Sequence, residues 1–263
     1  MDGHQGHCID PEQHEPCTAP ALWRAAMLAS LLPLAGAAVH AQTVIPGTFA
    51  APPGCTGFLT VQSRGCTVSN HYRCEADADG DQWSASFDHD GLFRVGRIDR
   101  ETQWIESYSM TPTVRQSLDP GPADPASFSE LLADGTDTYD FNQTEAAMRT
   151  RVRGFDTLTG RSVTIDGVEL QETEFDFLEL SDDGTVLRKA RGQQFISPEW
   201  RLFFSGIEEW DLGEGPVPAD GTPKEFIFPG EKGFFAARPI FDCNVTSSGL
   251  ETPSGKGLWH AEF

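Results

Sequence analysis

Arg161-Ser162-Val163-Thr164-Ile165-Asp166-Gly167-Val168-Glu169-Leu170-Gln171 is the stretch that decides the fold. Two alternating runs flank a two-residue Asp-Gly. A two-residue hairpin loop of the favoured hand needs positive φ at both central positions, which Gly adopts freely and Asp tolerates. Asp-Gly between alternating runs is therefore the strongest short-range sign of a β-hairpin. The pattern continues downstream, where residues 172–180 and 185–190 flank Asp182-Asp183-Gly184. Phe195-Ile196, Leu202-Phe203-Phe204 and residues 207–212 extend the strands.

Upstream, Trp83-Ser84-Ala85-Ser86-Phe87 alternates large and small side chains, as a half-buried strand does. Asp88-His89-Asp90-Gly91 turns the chain into a return strand over 92–98, and a third strand follows at 103–108. One helix is predicted, with Asp124 as N-cap, Pro125 at the first helical position, Phe128, Leu131 and Leu132 on one face and Gly135 as the stop. Residues 42–57, 111–126 and 213–233 read as Pro- and Gly-containing connections, the last with at most a short strand at Phe226-Ile227-Phe228. Residues 234–263 read as more loop than strand. The fold class is mainly β: a curved antiparallel sheet of the half-barrel or β-spiral kind with one short helix, or alternatively a β-sandwich.

The chain has 40 acidic and 19 basic residues, a net charge of −21. That surface repels nucleic acid and anionic lipid, so neither DNA nor RNA is expected as a partner. Arg24 precedes an apolar run over 25–38, and Val39-His40-Ala41 fits a small-x-small cleavage site. This is the pattern of a secretory leader over 22–41, cleaved after Ala41, with a single all-β domain over 42–263. The protein is therefore expected to be periplasmic or secreted. Residues 1–21 read as a non-native or disordered extension, so its His4, His7, Cys8, His14 and Cys17 would be lost with the leader. No cysteine directly follows the apolar run, so no lipid anchor is expected. No other run is long enough to span a bilayer.

Cys55, Cys66, Cys74 and Cys243 remain, an even number that points to two disulfides in an oxidising compartment. The expected pairing is Cys66–Cys74 as a local clasp and Cys55–Cys243 tying the ends of the domain. No Cys-x-x-Cys marks a redox site. His71, His89 and His260 are too few and scattered for zinc, and no cofactor is expected.

Three constellations carry possible chemistry. Glu174-Phe175-Asp176-Phe177-Leu178-Glu179 resembles the catalytic strand of the laminarinase and lichenase family of β-sandwich glycoside hydrolases. The resemblance implies Glu174 as nucleophile, Asp176 as assistant and Glu179 as acid/base. It covers six residues and lacks the family's flanking context. The plainer reading is a strand with acids facing water and Phe175 and Phe177 facing the core. Asp77, Asp79 and Asp81, followed through Ser86, resemble the start of an EF-hand calcium loop, although the closing glutamate is missing. Arg149, Arg151 and Arg153 share a strand face, either to hold an anion or to pair across strands with Glu169, Glu172 and Asp176. No Gly-x-Ser-x-Gly, His-Glu-x-x-His or phosphate-cradling loop occurs.

Gly65-Cys66-Thr67-Val68-Ser69-Asn70-His71-Tyr72-Arg73-Cys74, then Gly80-Asp81-Gln82-Trp83 and Gly96-Arg97-Ile98-Asp99-Arg100-Glu101-Thr102-Gln103-Trp104, resemble a family of exported periplasmic proteins of Gram-negative bacteria. The resemblance brings no known activity. In architecture alone the strand pattern is similar to periplasmic lipoprotein carriers and β-spiral envelope proteins, which are curved sheets around an apolar cavity. The expectation that follows is a soluble, non-enzymatic envelope protein that binds a lipid-like ligand or a protein partner. The alternative is a carbohydrate-active hydrolase using Glu174 and Glu179.

Overall fold

The computed structural model describes residues 47–243. The leader, its cleavage after Ala41, residues 1–21 and His260 lie outside the described residues. The chain forms β1 (Cys55–Ser63), β2 (Thr67–Cys74), β3 (Gln82–Asp88), β4 (Gly91–Ile98), β5 (Trp104–Met110) and β6 (Thr113–Leu118). After α1 (Phe128–Asp134) come β7 (Thr136–Glu145), β8 (Met148–Ile165), β9 (Val168–Ser181), β10 (Val186–Ser197), β11 (Leu202–Asp211), β12 (Pro216–Asp220) and β13 (Pro223–Ile227).

All thirteen strands belong to one antiparallel sheet. Each strand from β1 to β12 pairs with the next, and β13 returns to the free side of β1. The two rims, β12 and β13, do not pair with each other, yet Gly221 and Thr222 alone separate them in the chain. The N–H of Gly221 donates to Gly206 O, and the N–H of Arg64 donates to Thr222 O. The sheet must therefore curl until its rims stand side by side. This is the curved antiparallel sheet with one short helix that the strand pattern predicts.

Curling creates an interior shared by strands far apart in the ladder. Leu59 and Val61 of β1 pack with Leu170 of β9, Phe195 of β10, Phe204 of β11 and Phe226 of β13. A second cluster joins Tyr139, Phe141, Val152, Phe175, Phe177 and Trp210. Each such side chain fully withdrawn from water contributes about 1.5–3 kcal/mol before entropy is charged against it. The outer face of β2 and β3 is covered as well: Val68, Tyr72, Ala85 and Phe87 lie beneath Phe49, Phe235 and Ala236. The N–H of Phe49 donates to Phe235 O at 2.6 Å, and Asn70 Nδ2 donates to Ala236 O at 2.8 Å.

At the deciding hairpin, Asp166 has φ 49° and Gly167 φ 80°, both positive as a type I′ turn requires. Four connections differ from expectation. β1 and β2 occupy a stretch without clean alternation, because β2 is buried on both faces. β6 follows a turn with a cis Thr111–Pro112 peptide inside the supposed loop. β12 carries Pro216 and Pro218 and is tolerated as a strand because it is a rim. β13 begins at Pro223 and is longer than the three residues anticipated. The helix starts later than predicted: Ser127, not Asp124, is the N-cap, its side chain accepting from Glu130 N–H, and Gly135 in the left-handed region closes it.

The disulfides are Cys55–Cys74 and Cys66–Cys243, which corrects the expected pairing. Cys66 and Cys74 stand at opposite ends of β2, about 25 Å apart at the rise of a strand, whereas a disulfide needs Cα atoms within about 7 Å. Cys55 and Cys74 face one another in the β1–β2 register. The C-terminal segment crosses the opposite end of that hairpin, where Cys66 N–H donates to Phe241 O and Gln62 Nε2 donates to Arg238 O.

Candidate functional site

Trp104, at the start of β5, forms a wall common to two small, partly open pockets whose linings mix polar and aromatic side chains. Its ring lies edge-on to Phe141 at 5.3 Å and tilted against Phe177 at 5.8 Å. Each pocket has room at its deepest point for a water or a small ion.

The first cavity is lined by His71, Gln82, Ser84, Arg94 and Leu202 besides Trp104. Alternation along β2 turns Val68 and Tyr72 to the clad outer face and His71 inward, against Phe58 and Phe204. His71 Nε2 is buried and has no hydrogen-bond partner in the protein. Burial, aided by the charge of Arg73, lowers its pKa to about 4, so the imidazole is neutral at physiological pH.

The second cavity is lined by Thr102, Asp137, Tyr139, Phe141, Asp156 and Phe203 besides Trp104. Asp137 and Asp156 are direct register partners across β7 and β8. Side chains directly opposite on one face have Cβ atoms about 4.5–5.5 Å apart, and like charges there repel. Tyr139 crosses Gly154, its own register partner. A Cβ at Gly154 would fall 2.2 Å from Asp176 O and 2.5 Å from Tyr139 Oη, so only glycine admits the ring. Tyr139 Oη donates to Asp176 O at 3.5 Å.

Asp137 Oδ2 accepts the N–H of Ser127 at 3.0 Å, just before α1. Its Oδ1 is buried without a partner. Burial raises the Asp137 carboxyl to about pKa 7; the Ser127 N–H opposes this, and Glu130, Asp124 and Glu101 add to it. Burial, then the neighbouring Asp137, raises Asp156 to about 8. Tyr139 is pushed well above its usual range by burial and by Asp156, Asp137 and Asp176. The loop bearing Thr102 is pinned to α1: Glu101 accepts from Ser129 N–H and Oγ at 2.8 Å each and from Arg201 Nη2 at 2.9 Å.

The residues singled out in the sequence lie elsewhere. Glu174 and Asp176 are exposed on the outer face of β9, while alternation turns Glu179 inward with Phe175 and Phe177. Thr150 Oγ1 donates to Glu179 at 2.7 Å and Arg188 pairs with it. No bulge in β9 brings the three carboxylates to one face. In the β2–β3 loop, Asp77 and Asp81 converge on Arg97 at 3.4 and 3.0 Å, and Glu106 meets the same guanidinium at 2.7 Å. Asp77 also accepts from Trp83 Nε1 at 2.7 Å, and Asp79 is exposed. A protein cation thus stands amid the acids read as a calcium loop. Asp88, His89 and Asp90 lie close together in an exposed turn, where Asp88 Oδ1 accepts the N–H groups of Asp90 and Gly91.

The arginine stripe is paired, but mainly toward β7 and the β6 end: Arg149 with Asp119 at 2.6 Å, and Arg151 and Arg153 with Asp140 at 2.5 and 3.4 Å. None of the three takes an expected partner, and Glu172 pairs with Arg161 instead. Sequence reasoning missed His71, Asp137 and Asp156 as interior groups. A signal for one was present: alternation in Asp137-Thr138-Tyr139-Asp140-Phe141 places Asp137 on the face of Tyr139 and Phe141.

No family model, no curated protein and no solved structure matches the chain.

Proposed function

We propose that the chain is an exported envelope protein that works by binding rather than turnover, and that its ligand is small and hydrophilic, taken inside the curled sheet around Trp104. The observation that carries this reading is the pair of cavities sharing that tryptophan, each with a buried polar atom left unpartnered by the protein, His71 Nε2 in one and Asp137 Oδ1 in the other. Leaving such an atom unsatisfied costs about 1–3 kcal/mol, which a ligand group or bound ion would recover. Export is supported by the two disulfides, which persist in oxidising compartments. The described residues hold no helix long and apolar enough to cross a membrane. The outward positions of β7 to β11 carry Asp140, Arg151, Arg153, Lys189, Arg191 and Glu209, a charged band unsuited to facing lipid tails.

A lipid-carrier function, which the half-barrel analogy implies, fits less well, because the aromatic clusters occupy the interior where an acyl chain would lie. Native mass spectrometry of protein recovered from the periplasm separates the two. The expected spectrum shows a chain beginning at Gln42 with no lipid adduct. A stoichiometric co-purified lipid would restore the carrier reading and overturn this one.

A further inference from the structure

We infer that Asp137 and Asp156, facing each other across β7 and β8 beside Trp104, form the core of a binding site for a single hard divalent cation, calcium in the first instance. The inference rests on reading the Trp104 cavities as ligand sites and names the occupant of one of them.

Four observations converge on it. The two aspartates are opposite one another in register, both buried, at 4 % and 8 % exposure. Two like charges so placed repel, so the pair holds positive charge strongly, as a shared proton or as a cation lodged between the carboxylates. Asp137 lines the cavity, and its buried Oδ1 has no donor, although the other oxygen of the same carboxylate is satisfied by Ser127 N–H. Glu101, Asp124 and Glu130 add negative charge around Asp137. Arg201, on the same clamp, is already engaged by Glu101 and by the Arg100 carbonyl. This contrasts with the acidic cluster on the opposite face of β4 and β5, where Arg97 sits among Asp77, Asp81 and Glu106. Among the described residues, one cluster carries its own cation and the other does not.

The cavity's size selects the ligand class. The deepest part of the pocket has space for one water-sized group, which suits a metal ion. Carboxylate oxygens favour calcium or magnesium over the softer transition metals. Calcium tolerates irregular oxygen sets, whereas magnesium demands a near-octahedral one, so calcium suits a site whose frame is a strand pair. Two carboxylates place the affinity with exported calcium modules, at a dissociation constant of about 0.1–1 mM.

The test uses the purified full chain, stripped with a chelator and dialysed. It is titrated with calcium chloride, then magnesium chloride, near neutral pH, with heat, thermal midpoint and tryptophan emission recorded together. The expected result is a single saturable calcium site, a rising midpoint and a change in emission from the Trp104 wall. Asp137→Asn and Asp156→Asn should each weaken binding by at least about tenfold while keeping the wild-type circular dichroism. A calcium titration without heat or midpoint change, in protein whose midpoint Asp156→Asn alone raises, would show that a proton rather than a metal neutralises the pair, and would overturn the site. Calcium binding that survives both variants but vanishes in Asp88→Asn would place the ion in the exposed β3–β4 turn and overturn it equally. Loss of the cation site leaves the mass-spectrometric test of the interior-ligand reading intact, so the two failures are distinguishable.

Discussion

β2 and β9 lie in the same sheet and are held there differently. Every residue of β2 from Thr67 to Tyr72 is buried, whereas β9 alternates buried and exposed through Thr173, Glu174, Phe175, Asp176 and Phe177. Behind β2, the segments around Phe49 and Phe235 cover the outer face; on the outer face of β9, Glu174 and Asp176 stand in water, and beside them Arg191 of β10 pairs with Glu209 of β11. Both disulfides and the return strand β13 belong to the clad end. The solvated end has the longest strands, 18 residues in β8 and 14 in β9, joined by the tight Asp166-Gly167 turn. One end is tied together by links between distant parts of the chain, the other by local pairing. Links that close long loops restrict the unfolded chain most, so the clad end is where the largest effects should fall.

The first prediction puts that asymmetry at risk. Cys66–Cys243 spans 177 residues and Cys55–Cys74 spans 19. Chain entropy assigns about 5 kcal/mol to the first and about 3 kcal/mol to the second. Urea unfolding of the Cys66→Ser/Cys243→Ser and Cys55→Ser/Cys74→Ser double variants should show the larger midpoint loss in the former. Equal losses, or the reverse order, would mean that the C-terminal segment holds the clad face by packing alone.

The same contrast governs what could be read from the sequence. The hairpins β8–β9 and β9–β10 were legible because one-sided burial prints period-two alternation and Asp-Gly marks the turn. β1 and β2 were illegible for the opposite reason: with both faces covered, Thr67 to Tyr72 includes Ser69, Asn70 and His71 at buried positions, and no polar side marks the pleat. The disulfide pairing failed with them, since it follows from the β1–β2 register. The site failed differently. Asp137 and Asp156 are 19 positions apart and meet through the register of two long strands, which no local motif encodes. The motifs that looked chemical, at 174–179 and 77–81, are resolved by alternation and by Arg97 respectively.

A second prediction concerns acid. His71 is neutral in the folded protein, with its pKa lowered to about 4 by burial and then by Arg73. The unfolded chain takes up the proton near pH 6.5, so it binds more protons than the folded chain between those values. Stability is therefore complete above about pH 6.5 and falls as pH drops toward 4, by about 3 kcal/mol from this group. Chemical denaturation across that range should give a shallower pH dependence for His71→Leu than for wild type. Parallel profiles would mean that the imidazole is hydrated and the clad end looser than its burial implies.

At the solvated end, the close approach of Tyr139 to Gly154 gives a third. Gly154→Ala would drive a methyl against the Asp176 carbonyl, a backbone atom that cannot step aside without breaking the β8–β9 ladder. Overpacking of this kind costs about 1–3 kcal/mol. The loss should be accompanied by altered Trp104 emission, because Tyr139 and Trp104 line the same cavity. Unchanged stability would show that the long strands slide or bend more freely than the clad end, and the local-pairing account of this half would need revision.

The smallest effect should come from the outer face of that half, and its smallness is the point. Arg191 pairs with Glu209 at 2.9 Å across β10 and β11, with both side chains largely in water, at 71 % and 46 % exposure. An exposed pair gains little in high dielectric, is screened by salt and fixes two long side chains, so such pairs contribute about 0–1 kcal/mol. Arg191→Ala should shift the urea midpoint by little more than its error, and added salt should remove what remains. Phe177, one strand over and pointing the other way, is 1 % exposed. If Arg191→Ala were to cost as much as a core truncation, the outer face of β8 to β11 would have to be something other than a solvated surface: a face that another molecule or another part of the chain covers, as residues 234–237 cover β2. The double-variant cycle with Glu209→Ala distinguishes these, because a pair buried by a partner shows strong coupling that salt does not erase.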